Sequence, residues 1–183
     1  DQWFIRVKSL ADAAIERLRA GEIVFHPATK QKEIEAYLSQ LKDWNISRQI
    51  PWGIPIPAFR NANDSNDWIY DEKVEEKTIV VNNTTYIREE DTFDTWFSSG
   101  QWPYVVTDYL TEGELSRFFP NTLMETGMDL LRQWVSRMIM LSVYRTGQVP
   151  FREVYLHGMV NDEHNKKMSK SLGNFFTVRD VAD

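Results

Sequence analysis

The sequence predicts an α/β fold built on a parallel sheet, with a small β-hairpin inserted at its surface. Two amphipathic helical segments separated by a strand occupy residues 9–44. A strand, a glycine turn, a long apolar helix and a second strand follow at residues 122–160, which is the order of a parallel βαβ unit. Between these parts lies the polar segment 60–91, in which "KTIVVNNTTYI" predicts two short strands around an Asn-Asn turn.

The first part of the chain predicts two helices on either side of a strand. Residues 9–20 place small and aliphatic side chains on one helical face, with Ser9 as the N-cap and Gly21 as the stop. The run "EIVF" (22–25) has the composition of a short strand. The segment "TKQKEIEAYLSQLKDW" (29–44) then repeats the amphipathic helical pattern.

The middle of the chain predicts a loop and a hairpin, and the last part predicts the βαβ unit. The run "PWGIPIP" (51–57) contains prolines and a glycine that exclude a helix or a central strand, so we expect a fixed loop. We interpret residues 60–91 as a peripheral hairpin insertion. Farther on, "TLMET" (122–126) predicts a short buried strand, residues 129–145 predict a helix and "EVYLHGMV" (153–160) predicts the second strand.

Length and composition exclude several classes of protein. A chain of 183 residues with 42% hydrophobic residues can bury the core of one domain, with or without an insertion. The net charge of -6 excludes a general basic surface for nucleic acid, so any contact with a polynucleotide must be local or supplied elsewhere. The most apolar stretch, residues 130–144, contains Arg132 and Arg137 and is too short to span a bilayer, so we expect no membrane partner. The chain begins without Met or a targeting segment, which suggests a fragment.

The sequence predicts no resident metal site. Without cysteine the chain can form neither disulfides nor thiolate zinc sites, which is compatible with a reducing compartment, and we expect a cytoplasmic location. His26, His157 and His164 lie far apart in the sequence, without partners at the spacing of metal ligands. We therefore expect no bound zinc.

A cluster of cations and hydroxyl groups lies near the end of the chain, in "NKKMSKSLGN" (165–174). Lys167, Ser169 and Lys170 offer charged and hydroxyl donors on a segment that ends in glycine and asparagine. Such donors suit a polyphosphate, because the charge of a transferring phosphoryl group is stabilised mainly by positioned lysines and Mg²⁺. Composition alone leaves a second interpretation open, a solvated run of charges with no ligand.

Longer motifs in the sequence resemble a known family. The letters KMSKS spell the second signature of the class I aminoacyl-tRNA synthetases. The order and spacing of the valyl, isoleucyl and leucyl subgroup are found in "DWNISRQIPWGIPIPAF", "DTFDTWFSSGQWP", "ETGMDLLRQWVSRMIM" and "VPFREVYLHGMVNDEHNKKMSKSLGN". Details such as "DTWFSS" and "VPFREVY" are most similar to the valyl-tRNA synthetases, and Ser98 stands where isoleucyl enzymes usually have aspartate. The form "WGIPIP" leaves isoleucyl specificity open.

The resemblance implies the second half of a Rossmann-type, doubly wound parallel sheet. Residues 1–59 would be the exit from an editing insertion and the start of this half, residues 60–91 the hairpin insertion, and residues 92–183 the ATP-binding βαβ unit with the KMSKS loop. The first, histidine-containing signature of the class is not found in the sequence. We therefore expect the N-terminal Rossmann half to be a separate part that this chain needs as a partner.

The resemblance also implies an activity. The family uses ATP, which brings Mg²⁺ with it, to activate an amino acid, here valine, and transfers the acyl group to tRNA, here tRNA(Val). We expect the isolated chain to be inactive. The alternatives are a fragment of an isoleucyl-tRNA synthetase and a non-catalytic half-domain that binds nucleotide or docks a partner.

The resemblance assigns residues to nucleotide chemistry. Lys167 and Lys170 would stabilise the leaving pyrophosphate, with Ser169 beside them, and Asp129 would accept hydrogen bonds from the ribose hydroxyls. Taken alone, Asp129 can equally be a carboxylate at a helix start, and His157 a packed or exposed histidine. The implied ATP-binding residues are Gly127, Asp129, Gln133, His157, Gly158, Met159, Val160 and Met168.

The resemblance places the amino-acid pocket on two segments. Trp52, on the proline-rich loop, and Trp96, in "DTWFSS", would face one small cavity with Thr92 nearby. Discrimination by such apolar fit amounts to only about 1–3 kcal/mol per methylene group. Asp94 would either bind the substrate ammonium or hold the pocket loop. Core packing is the alternative for both tryptophans.

Overall fold

The computed structural model describes residues 2–182, in which short strands alternate with helices. The strands are β1 (Phe4–Ile5), β2 (Val24–His26), β3 (Trp44–Asn45), β4 (Ser47–Arg48), β5 (Ala58–Asn61), β6 (Trp68–Tyr70), β7 (Thr78–Val81), β8 (Thr84–Arg88), β9 (Thr92–Phe93), β10 (Asn121–Gly127) and β11 (Phe151–His157). The α-helices are α1 (Lys8–Arg19), α2 (Thr29–Ser39), α3 (Thr95–Ser99), α4 (Trp102–Val105), α5 (Ser136–Thr146) and α6 (Val178–Ala182). Short 3-10 turns lie at Tyr109–Thr111, Ser116–Phe118, Met128–Leu130 and Lys170–Leu172, and a π-helical turn lies at Leu131–Val135.

A parallel sheet in the order β10-β11-β2 forms the centre of the fold. The chain leaves β10, passes through α5 and returns as β11 beside β10, which confirms the predicted βαβ unit. In this register Gly127 lies opposite His157, and Tyr155 lies opposite His26. The carboxyl ends of β10 and β11 therefore meet at one edge of the sheet.

The core lies on one face of this sheet. Val154 and Leu156 of β11 point into it, and they pack with residues of α1, α2 and α5, such as Leu18, Ile34 and Ile139. Alternate residues of a strand point to opposite faces, so Tyr155 lies on the other face, where it is 52% exposed. The helices α1, α2 and α5 thus cover one face of the parallel sheet.

Three sequence predictions need correction. Ser9 is not the N-cap, because α1 begins at Lys8 and its N-cap, Val7, donates its backbone N–H to the Asp43 carboxylate at 3.3 Å. The stop at Gly21 is confirmed by its left-handed φ of 73°. The strand β10 is not buried throughout, since it lies at an edge of the sheet and leaves Leu123 53% exposed. The helix after β10 is regular only from Ser136, because 3-10 and π turns precede it.

The predicted hairpin is confirmed as β7 and β8. Asn82 and Asn83 join the strands with φ angles of 50° and 63°, the left-handed pair that a two-residue turn of this kind requires. Two further strands complete an antiparallel sheet in the order β6-β5-β8-β7. Trp3 connects this sheet to the start of the chain, through a 3.0 Å hydrogen bond to Glu89 and an edge contact with Trp68 at 5.2 Å between ring centroids.

None of the helices within residues 2–182 combines the length and apolar character that crossing a bilayer requires.

Candidate functional site

The site lies where β10 and β11 end together, and Gly127 is at its centre. A Cβ atom at this glycine would lie 2.7 Å from Oδ1 of Asp129, 3.4 Å from Sδ of Met159 and 3.5 Å from Nε2 of His157. The first distance is shorter than real Cβ atoms show, so a side chain at position 127 would displace the Asp129 carboxylate. The missing side chain therefore leaves room for the Asp129 carboxylate, with Met159 and His157 at ordinary van der Waals distance.

The lysine loop folds back onto this end of the sheet. Lys167 donates from Nζ to Oδ2 of Asp129 at 2.7 Å, although the two residues are far apart in the sequence. This hydrogen bond is the main cause that lowers the pKa of Asp129 below its usual value, so the carboxylate stays ionised. Both side chains remain accessible, with 57% of Lys167 and 41% of Asp129 exposed. The contact unites the glycine turn and the KMSKS segment in one place.

Backbone contacts fix where the lysine loop starts. Asn161 and Lys167 form an isolated antiparallel bridge, and Met168 donates its N–H to the Val160 carbonyl at 3.1 Å. Met168 is therefore adjacent to the segment that follows β11. Lys170 is exposed and begins the 3-10 turn Lys170–Leu172.

The segment after β11 presents an open rim. A Cβ atom at Gly158 would meet no heavy atom within 4 Å, and Val160 is 67% exposed. His157 contacts the Glu125 carboxylate through Nδ1, which makes it an exposed, paired histidine. The sequence analysis missed Glu125. Strand alternation places it on the same face as Gly127, but its contact with His157 depends on the register between β10 and β11.

Gln133 has different neighbours from Asp129. Its Oε1 accepts a hydrogen bond from Nη1 of Arg137 at 2.9 Å, and its side chain lines a polar groove with Asp94 and Trp96. The π-helical turn at Leu131–Val135 changes the direction in which successive side chains point. A regular helix, as predicted, would have put Gln133 one turn after Asp129 on the same side.

Asp94 is buried and joins three segments. Its Oδ2 accepts hydrogen bonds from the Trp44 indole at 3.0 Å and from Arg48 Nη2 at 2.8 Å. Its Oδ1 caps helix α3 by accepting from the backbone N–H of Trp96 at 3.3 Å. With 4% of its surface exposed, the carboxylate has its partners within the protein. These contacts favour the second of the two roles left open, holding the segment in place.

The two tryptophans of the predicted amino-acid pocket line different cavities. Trp52 is 85% exposed and lines an apolar groove between the proline-rich loop and helix α4. Trp96 lines the polar groove of Gln133 and Asp94, which shares no lining residue with the first. Thr92 is buried below the proline-rich loop, since a Cβ at Gly53 would lie 2.8 Å from the Thr92 side chain. Trp52 and Trp96 therefore do not face the single cavity that we expected between them.

The whole sequence matches the model of a known protein family. The sequence model of the family described as "tRNA synthetases class I (I, L, M and V)" matches residues 1–183, which is the whole chain. The chain belongs to the family of class I tRNA synthetases. The resemblance carried by the KMSKS loop is thus confirmed.

Similar proteins extend this assignment. The mitochondrial valine--tRNA ligase of Mus musculus is 39% identical over 195 residues, which cover 98% of this chain and 18% of that protein. The valine--tRNA ligase of Schizosaccharomyces pombe is 37% identical over 198 residues, covering 100% and 20%. That of Legionella pneumophila (strain Lens) is 39% identical over 186 residues, covering 100% and 20%. The chain spans about a fifth of the length of these relatives.

Solved synthetases have the same fold. The methionyl-tRNA synthetase of Mycobacterium tuberculosis, bound by methionyl-adenylate, matches with a TM-score of 0.66 and 22% identity over 99% of this chain and 30% of that one. The LeuRS of Agrobacterium radiobacter K84, in a ternary complex with tRNA and LeuAMS, matches with a TM-score of 0.58 and 24% identity over 75% and 22%. These neighbours confirm the Rossmann-type α/β class.

The structure brings part of the predicted residue set together in this member of the family. Gly127, Asp129, His157, Met159 and Lys167 lie together at the ends of the parallel strands. Between residues 2 and 182, no group of three or more His, Asp or Glu side chains has the arrangement of a metal site.

Proposed function

We propose that this chain is part of the catalytic domain of a valyl-tRNA synthetase, which activates valine with ATP and transfers it to tRNA(Val). The relatives named valine--tRNA ligase support the choice of valine, because they match nearly the whole chain at 37–39% identity. The observation that carries the proposal is the 2.7 Å contact between Lys167 and Asp129. It joins the KMSKS loop to the carboxyl ends of parallel strands, where open α/β sheets bind their ligands.

Activation forms one bond and breaks one. A carboxylate oxygen of valine attacks the α-phosphorus of ATP, and the bond from that phosphorus to the bridging oxygen of the β-phosphate breaks. The electron pair of the broken bond leaves with pyrophosphate, whose added charge Lys167 and Lys170 would stabilise, with Ser169 as a further donor. Mg²⁺ would arrive as part of the ATP substrate. The oxygen of a ribose hydroxyl of tRNA(Val) then attacks the carbonyl carbon of valyl-adenylate, the bond from that carbon to the phosphate oxygen breaks, and AMP leaves together with the hydroxyl proton.

Asp129 and Lys167 would separate when ATP binds. The lowered pKa of Asp129 keeps it an acceptor, so it can receive hydrogen bonds from two ribose hydroxyls once Lys167 moves to the triphosphate. Since the pair is exposed, separating it costs only about 0–1 kcal/mol. The ion pair thus holds both residues near their proposed places at little cost to nucleotide affinity.

Adenine and valine would bind on either side of the ribose. The open rim at Gly158, Met159 and Val160 offers backbone groups and flat space for adenine, beside His157. Trp52 and Trp96 remain the proposed contacts for valine. Because they line separate grooves in this structure, we propose that the proline-rich loop moves toward Trp96 when valine binds.

Exchange of labelled pyrophosphate into ATP tests this proposal. In the full-length enzyme, valine should support exchange at a kcat/KM about 100-fold or more above that of isoleucine, since the extra methylene must be excluded sterically. Equal or higher exchange with isoleucine would assign the chain to an isoleucyl enzyme instead. Binding of ATP without exchange for any amino acid would favour the non-catalytic half-domain. The isolated chain should be inactive, because the N-terminal Rossmann half is needed as a partner.

A further inference from the structure

One carboxylate shapes the start of the KMSKS loop. Oδ1 of Asp162 accepts the backbone N–H groups of His164 at 2.9 Å and Lys166 at 2.8 Å. The N–H of Asp162 in turn donates to the Lys166 carbonyl at 2.8 Å. Asn165 takes the left-handed conformation, with φ 59°, inside this turn. Asp162 therefore closes a tight turn just before the functional lysine.

The second oxygen of the same carboxylate reaches across the loop. Oδ2 of Asp162 accepts from Nδ2 of Asn174 at 2.7 Å, twelve positions later in the chain. Asn174 also accepts the Ser169 N–H with its Oδ1 at 3.0 Å, and Nδ2 lies 3.3 Å from the Lys167 carbonyl. One asparagine thus contacts the backbone on both sides of Met168 while it is held by Asp162.

We propose that Asp162 and Asn174 are positioning residues that close the KMSKS segment into a ring and set the direction of Lys167. The role of this ring rests on the proposed function, because the ring directs the ammonium group of Lys167 toward the proposed nucleotide site. Neither side chain touches the reacting atoms. The backbone on both sides of Met168 is fixed, so the Lys167 stem starts from a defined point and its Nζ reaches Asp129 at 2.7 Å.

The physical basis is the type of hydrogen bond involved. Bonds to an ionised carboxylate are shorter and stronger than neutral ones, and Asp162 accepts three of them. The bond from Asn174 is the largest cause that lowers the pKa of Asp162. A flexible loop would have to lose conformational entropy each time it bound the nucleotide. The closed ring has lost most of this entropy on folding.

An exchange of the two side chains tests the ring. Asp162→Asn keeps the shape but turns an NH₂ group toward the NH₂ of Asn174, and Asn174→Asp places two carboxylates together. The double variant restores the hydrogen bond between positions 162 and 174 in the reverse direction, but not the contact with the Lys167 carbonyl. Asp64→Asn is the matched control, since Asp64 accepts the Asn66 N–H at 2.9 Å in a similar turn outside the site.

Two readouts separate this inference from the proposed function. Amide hydrogen exchange at Ser169 should be faster in both single variants and slow again in the double variant. In full-length enzyme, pyrophosphate exchange should lose about tenfold or more in kcat in each single variant, with the KM for valine nearly unchanged, and recover part of that loss in the double variant. The control should match wild type in both measurements.

The possible outcomes distinguish the proposed function from the positioning role of Asp162 and Asn174. Wild-type enzyme without exchange activity overturns the proposed function, while the recovery of amide protection in the double variant would still support the ring. Active single variants with wild-type kcat, or unchanged protection at Ser169, overturn the ring and leave the proposed function standing. Loss of activity that the double variant does not recover also overturns it.

Discussion

The contact between Lys167 and Asp129 leads to a quantitative prediction about ATP. Asp129→Ala removes the proposed acceptor for the ribose hydroxyls. A hydrogen bond to a charged group contributes about 1.5–3 kcal/mol when its partner is available. ATP must first displace Lys167, and an exposed pair of this kind contributes only about 0.2–1 kcal/mol. The net loss is about 0.5–2.8 kcal/mol, which should raise the KM for ATP by roughly twofold to hundredfold.

Pyrophosphate exchange with the full-length enzyme measures this effect. The matched control is Glu153→Ala, which removes another carboxylate from the same sheet, one that pairs with His26 at 2.9 Å outside the site. Lys167→Ala should behave differently from Asp129→Ala. It should lower kcat more than it raises the KM for ATP, because the pyrophosphate charge develops only in the transition state. A KM for ATP within twofold of wild type in Asp129→Ala would refute the ribose assignment.

Three further predictions follow from local geometry. Gly127→Ala should raise the KM for ATP because its Cβ would lie 2.7 Å from Oδ1 of Asp129; a KM for ATP within twofold of wild type would contradict the role of the turn. Asp94→Ala should lower the free energy of unfolding by about 2–4 kcal/mol in urea titrations, since it leaves an indole and a guanidinium without their acceptor; a loss under about 1 kcal/mol would contradict this. Burial raises the pKa of Tyr104 to about 12. The stability that this shift provides is complete below about pH 10 and is lost as pH rises toward 12. The decline in the free energy of unfolding between pH 10 and 12 should therefore be smaller in Tyr104→Phe than in wild type. An identical decline in both proteins would exclude ionisation of Tyr104 as its cause.

Much of the fold could be predicted because local chemistry determines it. The hairpin turn follows from Asn82 and Asn83, which tolerate the left-handed backbone better than other non-glycine residues. The βαβ unit follows from apolar periodicity on either side of Gly127. The N-cap of α1 could not be predicted in this way, because the helix begins one residue before Ser9 and its N-cap, Val7, is held by Asp43, a residue from another segment. The exposure of Leu123 depends on sheet order, which the sequence pattern does not specify.

The parts of the candidate site that lie within one sequence motif could be predicted. The lysine loop and the glycine turn were found as sequence runs, and their approach follows from the rule that parallel strands end together. The contact of Glu125 with His157 was missed because it pairs two strands across a register that only the structure gives. The separation of Trp52 from Trp96 was missed for a related reason, since the proline-rich loop and helix α3, which are far apart in the chain, set it. The domain boundaries and the cytoplasmic location stay predictions.

The most direct test of the account is amide hydrogen exchange of the full-length enzyme with and without a non-hydrolysable ATP analogue and Mg²⁺. If the KMSKS loop and the strand ends form one nucleotide site, the analogue should slow exchange in residues 157–160 and in residues 166–171 together. The hairpin strands Thr78–Val81 and Thr84–Arg88 should show no change. Protection of only one of the two segments, or of neither, would contradict a shared site.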